Sequence, residues 1–257
     1  MVFLQVLGKI PAESLTTDDV KRYLLKCLKE GLKENTMHSR INALKYYYEQ
    51  VLGRDKFFVD IPRPKKAQQL PNILGENEIS RLFNAVTNKK HKAILFMAYS
   101  AGLRVSEVIN MKLKDIDSDR MQIFVERSKG KKDRYVNLSP ILLDVLRKYI
   151  QLSQPKPATY LFEGQVSGSM YSVRSAQNIF HVARKAASIR KDVSFHSLPH
   201  SFATHILEKG IDIRYIKDIL GHFNIKTTER YLHVKRDQLI NIISPLDDIW
   251  KKGNIEW

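Results

Sequence analysis

The sequence predicts a mainly α-helical protein with one small β-sheet or hairpin, divided into a small helical domain over residues 1–66 and a larger α+β domain over 67–257. Three observations lead there. Apolar residues recur at three-to-four spacing through most of the chain, the mark of amphipathic helices. Only residues 121–126 and 134–138 have strand-like content, and the turn-forming, lysine-rich segment 128–133 lies between them. Ile61-Pro62-Arg63-Pro64-Lys65-Lys66 puts two prolines and three basic residues where no helix can continue, and reads as an extended linker.

In chain order, a first helix is expected over 14–32, with Thr16 or Thr17 as cap and Asp18 and Asp19 in the first turn. Its apolar stripe is Val20, Tyr23, Leu24, Cys27 and Leu28. A second, over 35–51, carries Met37, Ile41, Leu44, Tyr47, Tyr48 and Val51, with Arg40 and Lys45 turned to solvent. Beyond the linker, helices are expected near 76–87, 90–100, 106–111, 139–152, 173–187, 200–209, 213–220 and 236–242, around a hairpin with lysines at its tip. No internal repeat or low-complexity tract interrupts them.

Composition narrows the function. Hydrophobic residues at 43% and charged residues at 27% exclude a mostly disordered chain. A single cysteine, Cys27, excludes a disulfide framework and a multi-cysteine zinc site. No apolar run approaches the roughly 18 residues that span a bilayer, so a cytoplasmic protein with no membrane partner is expected. The 43 Lys and Arg against 27 Asp and Glu leave +16 on 257 residues. Counted by domain, 13 basic against 8 acidic residues precede position 68, and 30 against 19 follow, so both halves are basic. Such an excess suits a clamp around duplex nucleic acid first, and a membrane surface or acidic protein second. Charge carried only for solubility is the plainer alternative.

Five short patterns recur in one order. Ala101-Gly102-Leu103-Arg104-Val105-Ser106-Glu107 sets an arginine at the mouth of a helix, where its guanidinium could meet a phosphate or simply cap the helix. Lys129 at the hairpin tip could reach a nucleic-acid backbone or donate a proton, or be a solvated lysine. His196, His200 and His205 have offsets that resemble metal-ligand spacing, but no acidic or cysteine partner accompanies them, so no metal is expected. His222 follows a glycine helix end, commonly a structural place, and Tyr231 is one of 11 tyrosines.

Taken together, these patterns resemble the tyrosine recombinases, or phage integrases, most closely the small Xer-like and transposon-encoded members. The resemblance runs from about Ser14 to Leu239, and the separations agree with it: 25 residues from Arg104 to Lys129, 26 from His196 to His222, 9 from His222 to Tyr231. It implies a helical core-binding domain, a catalytic domain, and breakage and rejoining of a DNA phosphodiester through a covalent tyrosine link. Tyr231 would attack phosphorus, leaving a 3′-phosphotyrosine and a 5′-hydroxyl, with neither metal, nucleotide nor other cofactor. A phenol titrates near 10 in water, so it needs help. By resemblance His196 takes or shares its proton, Arg104 holds the non-bridging oxygens, Lys129 protonates the departing oxygen and His222 donates to the phosphate.

Two departures stand out. Pro199 occupies the place of a second arginine, so cleavage is expected to be weakened unless a neighbour such as Arg230 substitutes. Only residues 1–8 precede Lys9-Ile10-Pro11, so the first helix of the small domain is expected to be shortened. Family likeness further implies duplex DNA as partner, a nucleoid-associated protein monomeric when free, and a homo-tetramer on two DNA sites. In that ring the tail from Ser244 to Trp257 docks on a neighbouring subunit. A DNA-binding relative that occupies recombination sites without chemistry is the alternative, and a type IB topoisomerase a third reading.

Overall fold

A computed structural model describes residues 11–54, 72–126, 133–222, 224–229 and 231–232. The linker 61–66, the hairpin tip with Lys129, Arg230, the helix expected near 236–242 and the tail after Ser244 lie outside the described residues, as do the first ten. The chain forms two compact units, Met1–Gln69 and Leu70–Trp257.

In the first unit, a 3₁₀ turn at Ala12–Ser14 leads into α1 (Thr17–Lys29). Thr16 is the cap: its Oγ1 accepts from the Asp19 N–H, and Asp19 Oδ2 accepts from the Thr16 N–H at 3.0 Å, which is why the helix begins here rather than at 14. The second helix, α2 (Glu34–Tyr46), continues as a π-helical turn over Tyr47–Val51. Leu15, Val20, Tyr23, Leu24, Cys27, Met37, Ile41, Leu44 and Tyr48 make the core. Leu28 and Val51, expected inside, are exposed. Arg40, expected in solvent, is half-buried, and its Nη1 donates to Tyr23 Oη at 2.8 Å and Cys27 Sγ at 3.1 Å. Its apolar stem crosses the α1 face and its head finds partners there.

The second unit contains α3 (Glu76–Asn84), α4 (Lys89–Ser100), α5 (Val105–Asn110), β1 (Ile116–Asp117), β2 (Gln122–Val125), β3 (Arg134–Asn137), α6 (Pro140–Leu152), α7 (Val173–Ala186), α8 (Ser197–Glu208), α9 (Ile213–Ile219) and α10 (Lys226–Glu229). The sheet is antiparallel, in order β1-β2-β3, with Ile116 opposite Ile123 and Ile123 opposite Val136. It is therefore three-stranded rather than the two-stranded hairpin expected, the extra strand being only two residues long. Ile123, Val125 and Val136 point inward, while Phe124 and Tyr135 pair on the other face, ring centroids 5.3 Å apart.

α4 is the central helix: Ala93, Ile94, Leu95, Met97 and Ala98 are buried, and it packs against α6 and α8. Its sequence is apolar nearly all round, as a helix covered on several sides must be. A separate cluster of Ala203, Leu207, Ile216, Leu220 and Tyr231 joins α8, α9 and the residues after α10.

Candidate active site

Arg104 leaves a turn that only glycine can make. Gly102 has φ +63°, and a Cβ there would lie 2.7 Å from Phe202 Cδ1 and 3.2 Å from Leu220 Cδ2. The turn is thus pressed against α8 and the end of α9, which fixes where Arg104 emerges. As N-cap of α5, Arg104 donates its backbone N–H to Glu107 Oε2 at 2.9 Å and its Nη1 to Glu107 Oε1 at 2.9 Å. The side chain is 22% exposed, and among the described residues no acceptor engages its Nε or Nη2.

Arg134 on β3 meets the same carboxylate in a fork, Nη1 to Oε1 and Nη2 to Oε2, both 2.9 Å, while its Nε donates to the Ile219 carbonyl at 2.7 Å. Burial by itself would raise the Glu107 carboxyl, but hydrogen bonds and charge from Arg134, then Arg104, hold it below the usual carboxylate range.

His196 precedes α8 and is exposed, with no side-chain hydrogen bond among the described residues. One turn on, His200 Nδ1 lies 2.5 Å from Tyr231 Oη, a hydrogen bond whose donor is set by the ring's protonation. Tyr231 is 1% exposed. The imidazole bonded to the Tyr231 oxygen is therefore that of His200, not of His196.

Gly221, at φ +60°, ends the α9 segment, and the His222 N–H donates to the Lys217 carbonyl. His222 Nδ1 meets Thr228 Oγ1 at 2.9 Å, and the Thr228 carbonyl accepts from the Tyr231 N–H at 2.9 Å. His222 and Tyr231 are thus bound to one buried threonine.

The histidine triplet divides among different partners, His200 with Tyr231 and His205 Nδ1 with Tyr99 Oη at 2.8 Å. Among the described residues no group of three or more His, Cys, Asp or Glu is placed to hold a metal ion.

The structure thus gathers Tyr231 with His222 through Thr228, and ties Arg104 through Glu107 and Arg134 to the carbonyl three residues before His222. Glu107, Arg134, His200 and Thr228 had no part in the sequence-based assignment of the site. A signal for Glu107 was present, since a glutamate three residues after a helix cap is the capping-box spacing. For His200 it was the four-residue offset from His196, which also fits a metal ligand.

A mainly helical frame with a three-stranded sheet, carrying a tyrosine among basic side chains, has the architecture of a tyrosine recombinase, an enzyme class that transfers DNA strands. Residues 72–238 match the model of the phage integrase family, and the chain belongs to that family, in its Xer-like, transposon-integrase branch. It is 38% identical over 248 residues to the protein y4qK of Sinorhizobium fredii, named an integrase/recombinase, covering 96% of this chain and 80% of that one. It is 34% identical over 227 residues to the tyrosine recombinase XerA of Pyrococcus horikoshii, covering 88% and 79%. A crystal structure of XerA recombinase superposes with a TM-score of 0.59 at 30% identity over 100% of this chain and 89% of that one. The XerH site-specific recombinase, solved bound to its difH substrate, shares the fold with a TM-score of 0.74 at 20% identity over 93% and 73%. Among the described residues no helix is long and apolar enough to cross a membrane.

Proposed function

We propose that the protein is a site-specific recombinase that cleaves and rejoins duplex DNA through a 3′-phosphotyrosine, acting as a homo-tetramer on two sites and monomeric when free. The observation that carries this reading is Tyr231, its hydroxyl hydrogen-bonded to the His200 imidazole at 2.5 Å, one turn from His196, and its backbone N–H joined through Thr228 to His222. Family membership, the excess of 43 basic over 27 acidic residues and the donors of Arg104 that no acceptor engages among the described residues support it.

In the reaction the Tyr231 oxygen attacks phosphorus and the bond to the 5′-oxygen breaks. The ester energy is kept in the new linkage, so rejoining needs no nucleotide. The phenolic proton goes to an imidazole, for which family likeness names His196. The departing 5′-oxygen takes its proton from Lys129, while Arg104 and His222 hold the phosphate oxygens as charge builds. Lys129 lies outside the described residues, and its role rests on the family likeness.

The test is a suicide duplex built on the sequence the protein selects from a randomised pool, nicked so that cleavage traps the covalent product. The parent should form a protein–DNA adduct. Tyr231→Phe should bind the duplex with unchanged affinity and form none, and an adduct persisting in that variant moves the nucleophile elsewhere.

Pro199 favours a second reading, a member of the fold that occupies recombination sites with little or no chemistry. Both readings predict duplex binding that weakens steeply with salt. Only the first predicts an adduct.

A further inference from the structure

Glu107 carries one negative charge and is gripped by two guanidinium groups. Oε1 accepts from both Arg104 Nη1 and Arg134 Nη1, and Oε2 from the Arg104 backbone and Arg134 Nη2. The two arginines differ in what they have left. Arg134 is the more committed: its side chain is 9% exposed, Nη1 and Nη2 both meet the carboxylate, and its Nε is bonded to the Ile219 carbonyl. Arg104, at 22%, keeps Nε and Nη2 without an acceptor among the described residues.

The cluster therefore carries a net +1, and the surplus charge and open donors belong to Arg104. Without Arg134, the buried carboxylate would have Arg104 as its principal counter-charge and would draw that guanidinium inward, because an uncompensated buried anion is costly. We propose that Arg134 is a positioning residue for strand cleavage. By satisfying Glu107 it leaves Arg104 charged and outward-facing for the scissile phosphate, and through Ile219 it ties the helix end that precedes His222 to the same carboxylate. A bidentate fork with a third donor does this better than a lysine, since the planar guanidinium presents its donors to both oxygens and a carbonyl in one fixed geometry.

The inference rests on Arg104 holding the phosphate, and the experiment separates the two claims. Single-turnover adduct formation on the suicide duplex is measured for the full chain together with duplex affinity. Arg134→Met should lower the adduct rate about 10- to 100-fold, the scale of a misplaced catalytic group, with affinity changed by less than about threefold, one contact among many. Adding Glu107→Gln removes the charge that recaptures Arg104, so the double variant should recover at least about tenfold of that loss.

A purely architectural role for Arg134 predicts the reverse, a double variant no faster than Arg134→Met, and that result overturns the proposal. So does a parental rate in Arg134→Met while Arg104→Ala is slowed. A parental rate in Arg104→Ala instead refutes the phosphate role of Arg104 itself. Should Arg134→Met fail to fold, Arg134→Gln, which drops the charge but keeps a polar donor, carries the same comparison: Glu107→Gln must accelerate it, and failure to do so counts against the proposal.

Discussion

Pro199 stands third in α8, within the first turn, where a backbone N–H has no intrahelical acceptor, so proline costs the helix little and is buried there without breaking it. On the second reading proposed above, the cost falls on chemistry. Pro199→Arg should raise the adduct rate by about 10²–10³, the effect of one restored donor on a developing oxyanion, with duplex affinity nearly unchanged. Single-turnover trapping measures it, and an unchanged rate means that another cation already serves that phosphate. At this scale the motifs that carry the family likeness were legible in the sequence, and the contacts that only packing decides were not. Tyr231, His222 and Arg104 stood out through their spacing. Nothing local told that the Tyr231 hydroxyl turns to His200, or that Arg40 lies across Tyr23 and Cys27 rather than in solvent.

The helices were legible because their apolar stripes are repeated over three or more turns, and their ends because caps such as Thr16 and Ser139 are chemically distinctive. Two-residue β1 has no period to read, and the π-helical turn over Tyr47–Val51 keeps the same apolar residues as an α-helix, so neither was visible. The element that matters most for the site is the tight turn before α5. Gly102→Ala meets two penalties at once, a left-handed conformation at φ +63° and a Cβ 2.7 Å from Phe202. Unfolding should be easier by about 2–4 kcal/mol, read by urea denaturation. The adduct rate should fall with it at temperatures where the variant is still folded, because the displaced turn carries Arg104.

On the scale of the whole molecule, each unit has its own apolar core, and nine of the described residues make up the core of the first. The only cysteine of the chain is one of the nine, at 3% exposure and bonded to Arg40. A disulfide reagent such as dithionitrobenzoate should react with Cys27 only when this unit opens, and should react more slowly when duplex DNA is bound, if the small unit grips it. Immediate stoichiometric labelling of the free protein would show that the unit opens readily. Tyr231 is enclosed to a similar degree, and for the nucleophile proposed above that enclosure gates the reaction. With Tyr231 1% exposed and its hydroxyl bonded to His200, the nucleophile proposed above has to be uncovered before it can reach phosphorus. The rate an observer records is then the intrinsic rate multiplied by the share of time the oxygen stands open. On this proposal, whatever lengthens that interval should quicken strand exchange without altering one bond of the chemistry, and a molecule between encounters should stay sheathed against every phosphate it brushes past.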